Sequence, residues 1–357
     1  PEAMKVGKAF PVYLLEIDDN MSEVALARTE KKSGTGYRGF RVNFDSTVTI
    51  EQDLYRRDTT INAMAINILN GELVDPFGGR EDTLNKKIRA TSKHFIDDPV
   101  RALRAARQAA QFGFEITDET FHAMNLCGLE LQSEPGERIF SELEKALRTD
   151  KPSIFFRSLN RAGLLEITFP EIANLRGKIQ PVEFHPEGDA YEHTLKIVDE
   201  VAKVNPKPVI RFAALAHDFG KGKTPAEMLP HHYGHDMRGI EVLREMNARI
   251  RLPSDWKKIA ELVIWEHMRA AVMTNAGKIV DLLIKIHNSK ISITDFNDII
   301  NADNHGLPPH LANAEIIFAE ILKVNGNSAP PELSGADIGK WIRAERTRRY
   351  VALRNNF

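Results

Sequence analysis

The sequence changes character at residues 97–107, which read Asp-Asp-Pro-Val-Arg-Ala-Leu-Arg-Ala-Ala-Arg. A proline after two aspartates predicts the start of a helix, and Gly113 predicts its interruption. Upstream, loosely alternating apolar residues over 9–27 predict a β-hairpin, whereas the segments 137–148 and 153–162 downstream predict further helices. We therefore expect an α+β chain in which a small sheet-containing piece precedes a mostly helical remainder.

Composition sets the broad class of the protein. The 357 residues, 42% hydrophobic and 27% charged, predict a globular chain of several domains and exclude a disordered one. Cys127 is the only cysteine, which excludes a disulfide framework and a cysteine-based zinc site and favours the reducing cytoplasm. The apolar stretches are too short to span a bilayer, so no membrane partner is expected.

The net charge of −2 argues against nucleic-acid binding only as an average over the chain. Between Arg28 and Arg107 the chain has 15 Lys/Arg against 11 Asp/Glu, and from Lys340 onward it has six against one. Locally basic faces that bind phosphates are therefore compatible with the near-neutral total.

The predicted helix after Pro99 carries a pattern suited to a nucleotide base. Asp98, Arg101 and Arg104 follow one another at intervals of three residues, so they project from adjoining turns. A carboxylate accepts from an exocyclic amino group while a guanidinium donates to the neighbouring ring nitrogen, a pairing that accepts cytosine or adenine. The alternative is a solvent-exposed helix face with ion pairs, which on spacing alone is the commoner case.

A second pattern, Arg56-Arg57-Asp58 followed by Asn62, suits a triphosphate. The planar guanidinium groups of two adjacent arginines match phosphate oxygens. The alternative is an ordinary helix start, with an aspartate near the positive end of the helix dipole.

A third pattern combines histidines and aspartates far apart in the sequence. His193, the pair His217-Asp218 and Asp303 form a mixed nitrogen and oxygen donor set suited to Mn, Fe, Ni, Mg or Zn. Such sites generate hydroxide from bound water and attack phosphate esters. The alternative is that each histidine separately caps or packs against a helix.

With these patterns, the chain resembles the class II tRNA nucleotidyltransferases of bacteria, the CCA-adding enzymes, in the form that carries a C-terminal HD phosphohydrolase domain. The resemblance runs nearly end to end. Its motifs are Glu23–Glu30, Lys32–Tyr37, Arg56–Asp58 through Asn62-Ala63, Asp75–Gly79, Asp97–Arg101, Glu137–Ile139 and the His/Asp set.

The resemblance implies a fold and a division into domains. A partial polymerase-β-like nucleotidyltransferase head over 1–79 would be followed by a helical neck and body with the nucleotide-template helix over 80–175. An α-helical HD domain would occupy 176–324, and a basic tail helix 325–357. The implied function is template-independent addition and repair of the 3′-terminal CCA of tRNA from CTP and ATP. The HD domain would act as a 2′,3′-cyclic phosphodiesterase, 2′-nucleotidase and phosphatase.

The resemblance also implies roles for residues of the head and neck. Asp98 and Arg101 match the base-reading pair, and Lys32–Gly39 matches the flexible loop linked to the switch from C to A. Asp97 stands where the family usually has glutamate. The nucleotide-binding residues would be Arg28, Arg56, Arg57, Asp58, Asn62, Asp98, Arg101 and Arg104.

In the HD domain, His217 and Asp218 would be catalytic, and the resemblance implies a divalent metal such as Mg, Mn or Ni. His235 and His267 match additional histidines that bind a second metal or the phosphate, with Lys221, His231 and His232 as phosphate neighbours. Asn304-His305 departs from the family pattern. The implied metal ligands are His193, His217, Asp218 and Asp303.

Nucleotidyl transfer in the family uses Mg²⁺ held by an Asp-x-Asp motif that this chain lacks. Asp18-Asp19 is a poor substitute, because adjacent strand residues point to opposite faces. Glu23 matches an acidic family position that would support the metals, and a surface glutamate is the equal alternative. We therefore expect that the chain as it stands cannot add CCA.

The expected partners are the tRNA acceptor arm, CTP and ATP, with the basic tail Lys340–Arg354 contacting phosphates, in a monomer or homodimer. Three alternatives stay open: a stand-alone HD phosphohydrolase with a degenerate RNA-binding head, a tRNA-binding protein without activity, and a bacterial poly(A) polymerase. The last usually has a strongly basic C-terminal extension and lacks the HD set, and the pI of about 6.7 speaks against it.

Overall fold

The computed structural model describes residues 3–6, 11–17, 20–34, 39–183 and 188–354. Asp18-Asp19, expected as a turn, and residues 35–38 of the expected flexible loop lie outside these ranges. The chain divides into two compact units. The first contains Pro1–Ala146 and Ile154–Thr168, and the second contains Leu147–Ser153 and Phe169–Phe357. The four-segment division expected from the sequence stays a prediction.

The first unit begins with small sheets. Strands β1 (Met4–Val6), β2 (Val12–Ile17) and β3 (Asn20–Ala25) form an antiparallel sheet in which Leu14 lies opposite Glu23. The hairpin predicted over 9–27 is thus present as β2 and β3. Strands β4 (Thr29–Lys32) and β5 (Phe40–Asn43) pair antiparallel, as do β6 (Ala65–Ile66) and β7 (Leu73–Val74), whereas β8 (Lys87–Ile88) and β9 (Glu115–Ile116) are parallel.

Helices dominate the rest of the first unit. They are α1 (Ile50–Tyr55), α2 (Gly79–Leu84), α3 (Val100–Phe112), α4 (Asp118–Leu126), α5 (Gly128–Leu131), α6 (Gly136–Leu147), α7 (Ser153–Arg161) and α8 (Leu165–Thr168). The helix predicted after Pro99 is α3. It ends at Gly113, whose φ of 65° is a left-handed conformation that glycine adopts without strain. Buried alanines at 102, 105, 106 and 109 place one face of α3 in the core.

The second unit is helical. It contains α9 (Pro170–Ala173), α10 (Ala190–Val204), α11 (Pro208–Ala216), α12 (His235–Ile250), α13 (Ser254–Val272), α14 (Ala276–His287), α15 (Ile293–Asn304), α16 (Pro309–Ala312), α17 (Ala314–Ile321) and α18 (Ala336–Leu353). One apolar cluster joins α10, α11 and α13 to α15, with Phe296, Ile299 and Ile300 fully buried in it. This packing brings the polar ends of the four helices together, because each helix turns its apolar face to the shared core.

The basic C-terminal helix α18 is an integral part of the second unit. Tyr350 is buried, and Arg343 makes a two-bond ion pair with Asp281 of α14 at 2.7–2.8 Å. Arg346 donates to the carbonyl oxygen of Val324, and Arg348 pairs with Glu345. Part of the charge expected to meet RNA phosphates is therefore engaged within the unit.

The sequence expectation about fold class agrees with this architecture. The α+β fold class, with a small sheet-bearing head and a mostly helical remainder, is confirmed. Among the described residues, no helix combines the length and the apolar character needed to cross a bilayer.

Candidate active sites

A cavity of about 1160 Å³ in the first unit gathers the predicted nucleotide-binding residues. All eight line it, although they come from the β3–β4 connection, the end of α1, the turn after it and α3. Glu23 of β3 also lines the cavity and is exposed. The lining residues of the predicted set are Arg28, Arg56, Arg57, Asp58, Asn62, Asp98, Arg101 and Arg104.

Asp58 is the buried anchor of this cavity. Its carboxylate accepts from Arg104 Nε at 2.6 Å, from the backbone N–H of Thr59 at 2.8 Å and from Asn62 Nδ2 at 3.3 Å. Burial raises the pKa of the Asp58 carboxyl, but Arg104 and these hydrogen bonds outweigh it and hold the pKa below its usual value. Asp58 therefore stays ionised and fixes the side chains on both sides of it.

Two carboxylates that the sequence reasoning missed hold the predicted phosphate-binding arginines. Asp53 accepts from Arg56 Nη2 at 2.6 Å and from Arg57 Nη2 at 3.1 Å, and Glu30 accepts from Arg56 Nη1 at 3.0 Å. Burial raises the pKa of Asp53, yet Arg56 and Arg57 keep it below the usual value. The spacing of Asp53 from these arginines, three and four residues along a helix, was a usable signal.

The predicted base-reading pair lies at the start of α3, with a third residue beside it. The Asp98 carboxylate accepts from Arg138 Nη2 at 2.8 and 3.0 Å, and Arg138 also pairs with Glu134 at 2.7 Å. Arg101 is 8% exposed and donates to the carbonyl oxygen of His94. Arg138 was part of a matching motif but had no predicted role, and its position 40 residues away gave no local signal.

Asp97 and Lys32, beside the cavity-lining residues, each make a side-chain contact within the first unit. Asp97, the departure from the family's glutamate, accepts from His94 Nδ1 at 2.7 Å, so its shorter side chain supports the residue that binds Arg101. Lys32, at the start of the expected flexible loop, donates to both carboxylate oxygens of Glu130 in α5 at 2.6 and 2.8 Å.

In the second unit, the predicted metal ligands converge from separate helices. His193 lies in α10, His217 directly follows α11, and Asp303 lies in α15. His193 Nε2 is 3.1 Å from Asp303 Oδ1 and 3.3 Å from His217 Nε2. His217 Nε2 is 3.1 Å from Asp218 Oδ2 and 3.7 Å from Asp303 Oδ1. The structure thus brings together all four predicted ligands.

Asp218 is shared by two sets of candidate ligands. Its Oδ2 faces His193 and His217, while its Oδ1 lies 3.5 Å from His235 Nε2 and 3.6 Å from His267 Nε2. Among the described residues, the clusters with metal-binding spacing are His193/His217/Asp218 and Asp218/His235/His267. His235 and His267, predicted as additional histidines, therefore belong to the same constellation.

The backbone sets the tautomers of three of these histidines. In each ring Nδ1 donates to a backbone carbonyl oxygen. His217 donates to Ala214 at 2.6 Å and His235 donates to His232 at 2.9 Å. His267 donates to Val263 and Ile264, both at 3.1 Å. Because a carbonyl oxygen only accepts, Nδ1 carries a hydrogen in all three rings, and Nε2 is the nitrogen that faces Asp218.

These groups fit a divalent cation. Burial lowers the pKa of His235 to about 4, so this ring is neutral at pH 7. Its Nε2 lies 3.3 Å from that of His267, a spacing at which two imidazole nitrogens can bind one metal ion. Both oxygens of Asp218 are buried without a hydrogen bond of normal geometry, as expected of a carboxylate that binds a metal ion.

Lys221 and Gln180 flank this cluster. Lys221 Nζ lies 2.6 Å from Asp218 Oδ2 and donates to Gln180 Oε1 at 2.5 Å. Burial raises the pKa of Asp218, but His217 and Lys221 hold it well below the usual value. Gln180 is buried, and the sequence reasoning missed it because it precedes the helices that carry the histidines.

His231 and His232, predicted as phosphate neighbours, occupy different environments. His232 is buried; its Nδ1 lies 2.8 Å from Thr224 Oγ1 and its Nε2 lies 3.1 Å from the carbonyl oxygen of Ile179. Both ring nitrogens of His232 are thus engaged in holding the chain before α12. His231 is exposed.

Fold and sites together define a nucleotidyltransferase head followed by a helical HD-type metal domain. Family models match as "Poly A polymerase head domain" over residues 1–89, "Probable RNA and SrmB- binding site of polymerase A" over 113–175, and "HD domain" over 190–289. The "Multifunctional CCA protein" of Shewanella denitrificans is 42% identical over 288 residues, covering 79% of this chain and 69% of the relative. That of Haemophilus influenzae is 41% identical over 317 residues, covering 85% and 76%. The chain belongs to the multifunctional CCA protein family.

Solved structures support the same fold. An apo form of a CCA-adding enzyme matches with a TM-score of 0.67 at 22% identity, covering 98% of this chain and 78% of the other. The Bacillus stearothermophilus CCA-adding enzyme in complex with CTP matches with a TM-score of 0.64 at 20% identity, covering 100% and 80%. Family membership confirms the predicted class of function, CCA addition joined to an HD phosphohydrolase, and its dependence on divalent metal.

Proposed function

We propose that the cavity of the first unit binds and selects CTP and ATP, the nucleotides that build the CCA end of a tRNA acceptor arm, whereas the transfer step needs the Asp-x-Asp carboxylates that this chain lacks. The observation that carries this proposal is the convergence of all eight predicted nucleotide-binding residues on one cavity. Relatives with this fold have been solved with ATP and with CTP. Magnesium is the divalent ion we expect for this reaction.

The contacts in the cavity suggest how these residues work. Arg56 and Arg57 are held by Asp53 with their guanidinium groups at the cavity wall, where a triphosphate would compete for the same donors. Asp98 is bound to Arg138, so it exchanges this partner for the amino group of cytosine or adenine when a base enters. Arg101, buried and anchored on His94, supplies the donor to the ring nitrogen.

Base selection provides the test. Binding of CTP, ATP, UTP and GTP to the cavity is measured for base selection, and incorporation of radiolabelled CTP into tRNA lacking its CCA end is measured beside it, where none is expected from this chain. Asp98→Ala is expected to weaken CTP and ATP binding about tenfold and to reduce discrimination against UTP and GTP, since one base-reading contact is worth about 1–3 kcal/mol. Asp118→Asn, an exposed aspartate of the same unit, is the control. Unchanged base preference in Asp98→Ala would remove Asp98 from the reading pair.

We further propose that the HD site hydrolyses 2′,3′-cyclic phosphates, 2′-nucleotides and other phosphate monoesters. His193, His217, Asp218 and Asp303 would hold a divalent ion, with His235 and His267 available for a second ion or for the phosphate. Such an ion, Mg, Mn or Ni, would lower the pKa of a bound water and polarise the phosphate. Lys221 contributes a fixed positive charge beside Asp218 that favours a bound phosphate.

The HD assignment is tested by Asp218→Ala. Because Asp218 belongs to both ligand sets, its loss is expected to abolish hydrolysis of 2′,3′-cyclic AMP in metal-supplemented assays and to lower the bound metal measured by mass spectrometry. Asp281→Asn, whose exposed carboxylate pairs with Arg343, is the matched control. Retention of wild-type turnover by Asp218→Ala would refute the site. Location in the cytoplasm and a monomeric or homodimeric state stay predictions.

A further inference from the structure

A stacked pair of exposed rings precedes helix α12 in the second unit. The imidazole of His231 and the phenol of Tyr233 lie with ring centroids 5.4 Å apart and an interplanar angle of 24°. Tyr233 is 71% exposed, so most of the ring face away from His231 is open to solvent. An aromatic ring this exposed buries little area, and the fold gains little from it.

The chain around this pair is firmly held. His232, between the two exposed rings, is buried and bound to Thr224 and Ile179. Burial lowers the pKa of His232, so its ring is neutral and can donate from Nε2 to the carbonyl while Nδ1 accepts from the hydroxyl. The stacked pair therefore projects from an anchored segment.

The pair lies beside the HD cluster. Tyr233 is two residues before His235, whose Nε2 faces Asp218, so the two Cα atoms are at most about 7 Å apart. The exposed ring of Tyr233 therefore lies within a short stretch of chain of the second ligand set.

The polar cluster and the exposed aromatic ring of Tyr233 together match the two parts of a nucleotide. The cluster and Lys221 suit a phosphate, and an exposed aromatic face suits a base, because every base presents a π-face and stacks on aromatic side chains. We propose that Tyr233, backed by His231, is the base-stacking subsite of the HD active site for the nucleotide whose phosphate is hydrolysed. Purines stack more strongly than pyrimidines, so the subsite favours a purine base. The inference rests on the proposed phosphohydrolase function.

Two phosphate monoesters separate base binding from phosphate chemistry. Phosphate release is measured with 2′-AMP, which carries a base, and with glycerol 2-phosphate, which has no ring. Tyr233→Ala is expected to raise the KM for 2′-AMP about tenfold with little change in kcat, since stacking on one aromatic side chain accounts for a factor of this order. The ratio of kcat/KM for 2′-AMP to that for glycerol 2-phosphate falls by the same factor. Tyr233→Phe keeps the ring and is expected to keep the ratio within about twofold.

The outcomes test the base-stacking subsite separately from the phosphohydrolase activity on which it depends. An equal loss on both substrates in Tyr233→Ala, or an unchanged ratio, overturns the base subsite while leaving the phosphohydrolase standing. A wild-type protein that releases phosphate from neither substrate overturns the proposed function and the subsite with it. A ratio that falls in Tyr233→Ala and is restored in Tyr233→Phe supports the subsite.

Discussion

Asp58→Asn is a demanding test of the first unit, because it removes one charge from a fully connected buried carboxylate while keeping the size of the side chain. The Asp58 side chain is 4% exposed and accepts from Arg104 at 2.6 Å, whereas the Arg104 side chain is 39% exposed. An asparagine retains one acceptor oxygen but turns an N–H₂ group toward other donors. The substitution therefore leaves a mismatched contact in the wall of the nucleotide cavity.

The size of the effect follows from the burial of the two partners. Removing one partner of a buried ion pair costs about 3–5 kcal/mol. Arg104 reaches solvent, which screens its unpaired charge, so we expect a loss of about 2–3 kcal/mol in the free energy of unfolding. With a urea m-value of about 2 kcal/mol/M, the midpoint falls by about 1 M.

The tryptophans allow the two units to be followed separately. Trp256, Trp265 and Trp341 all lie in the second unit, so their fluorescence reports that unit, whereas far-UV circular dichroism reports both. The circular dichroism transition of Asp58→Asn should shift and the fluorescence transition should not. Asp118→Asn, whose 87% exposed side chain pairs with Arg161, is the matched control with an expected change below about 0.5 kcal/mol. Equal shifts in the two variants would refute the reasoning.

The pH dependence gives a second check on the same pair. The pKa of Asp58 is lowered in the folded protein, so its stabilisation is present above the unfolded pKa of about 3.9 and is lost as the pH falls through the folded value. The difference between wild type and Asp58→Asn should therefore be constant near neutral pH and shrink in acid. A difference that grows below pH 4 would contradict the sign.

Three further predictions concern the second unit. Gln180→Leu removes the oxygen that accepts from Lys221, so the kcat for hydrolysis of 2′,3′-cyclic AMP should fall about tenfold. Gln180→Glu keeps an acceptor and should restore part of the kcat. A wild-type kcat in Gln180→Leu would contradict this role. A Cβ at Gly220 would overlap the backbone at the start of α12, so Gly220→Ala should lower the free energy of unfolding of the unit by about 3 kcal/mol. The control is Gly339→Ala, at a position in open space on α18, which should raise it by about 0.5 kcal/mol. Both are measured by fluorescence-monitored unfolding. Burial lowers the pKa of His310, so the unfolded state binds a proton at this ring before the folded state does as the pH falls below about 6.5. Wild type should therefore lose stability between pH 7 and 5, and His310→Gln should lose less. Equal slopes of unfolding free energy against pH in the two proteins would contradict this prediction.

Local patterns were sufficient for several features of the molecule. The proline after Asp97-Asp98 and the glycine at 113 bounded α3, because both act through backbone geometry within a few residues. The residue types at His217-Asp218 pointed to a metal centre for a similar reason, since imidazole and carboxylate side chains suit few other chemistries together. The ordered motifs of the head indicated the family before any contact was known.

Other features depended on contacts between distant residues. Arg138 meets Asp98 across 40 positions, Lys221 meets Gln180 across 41, and His193 meets Asp303 across 110. No periodicity encodes such pairs, because they form only when helices with separate starting points pack on a common core. The pairing of Arg56 with Glu30 likewise appeared only when α1 and β4 were placed side by side.

The sequence by itself determined the class of protein, the residue types of both sites and the helix that carries the base-reading pair, because these depend on local spacing and side-chain chemistry. Only the tertiary structure decided that Asp218 serves two ligand sets, that Gln180 and Arg138 join the sites, and that Tyr233 stands exposed beside the HD cluster. The physical reason is that burial and the direction of a lone pair are properties of the packed core, to which every element contributes.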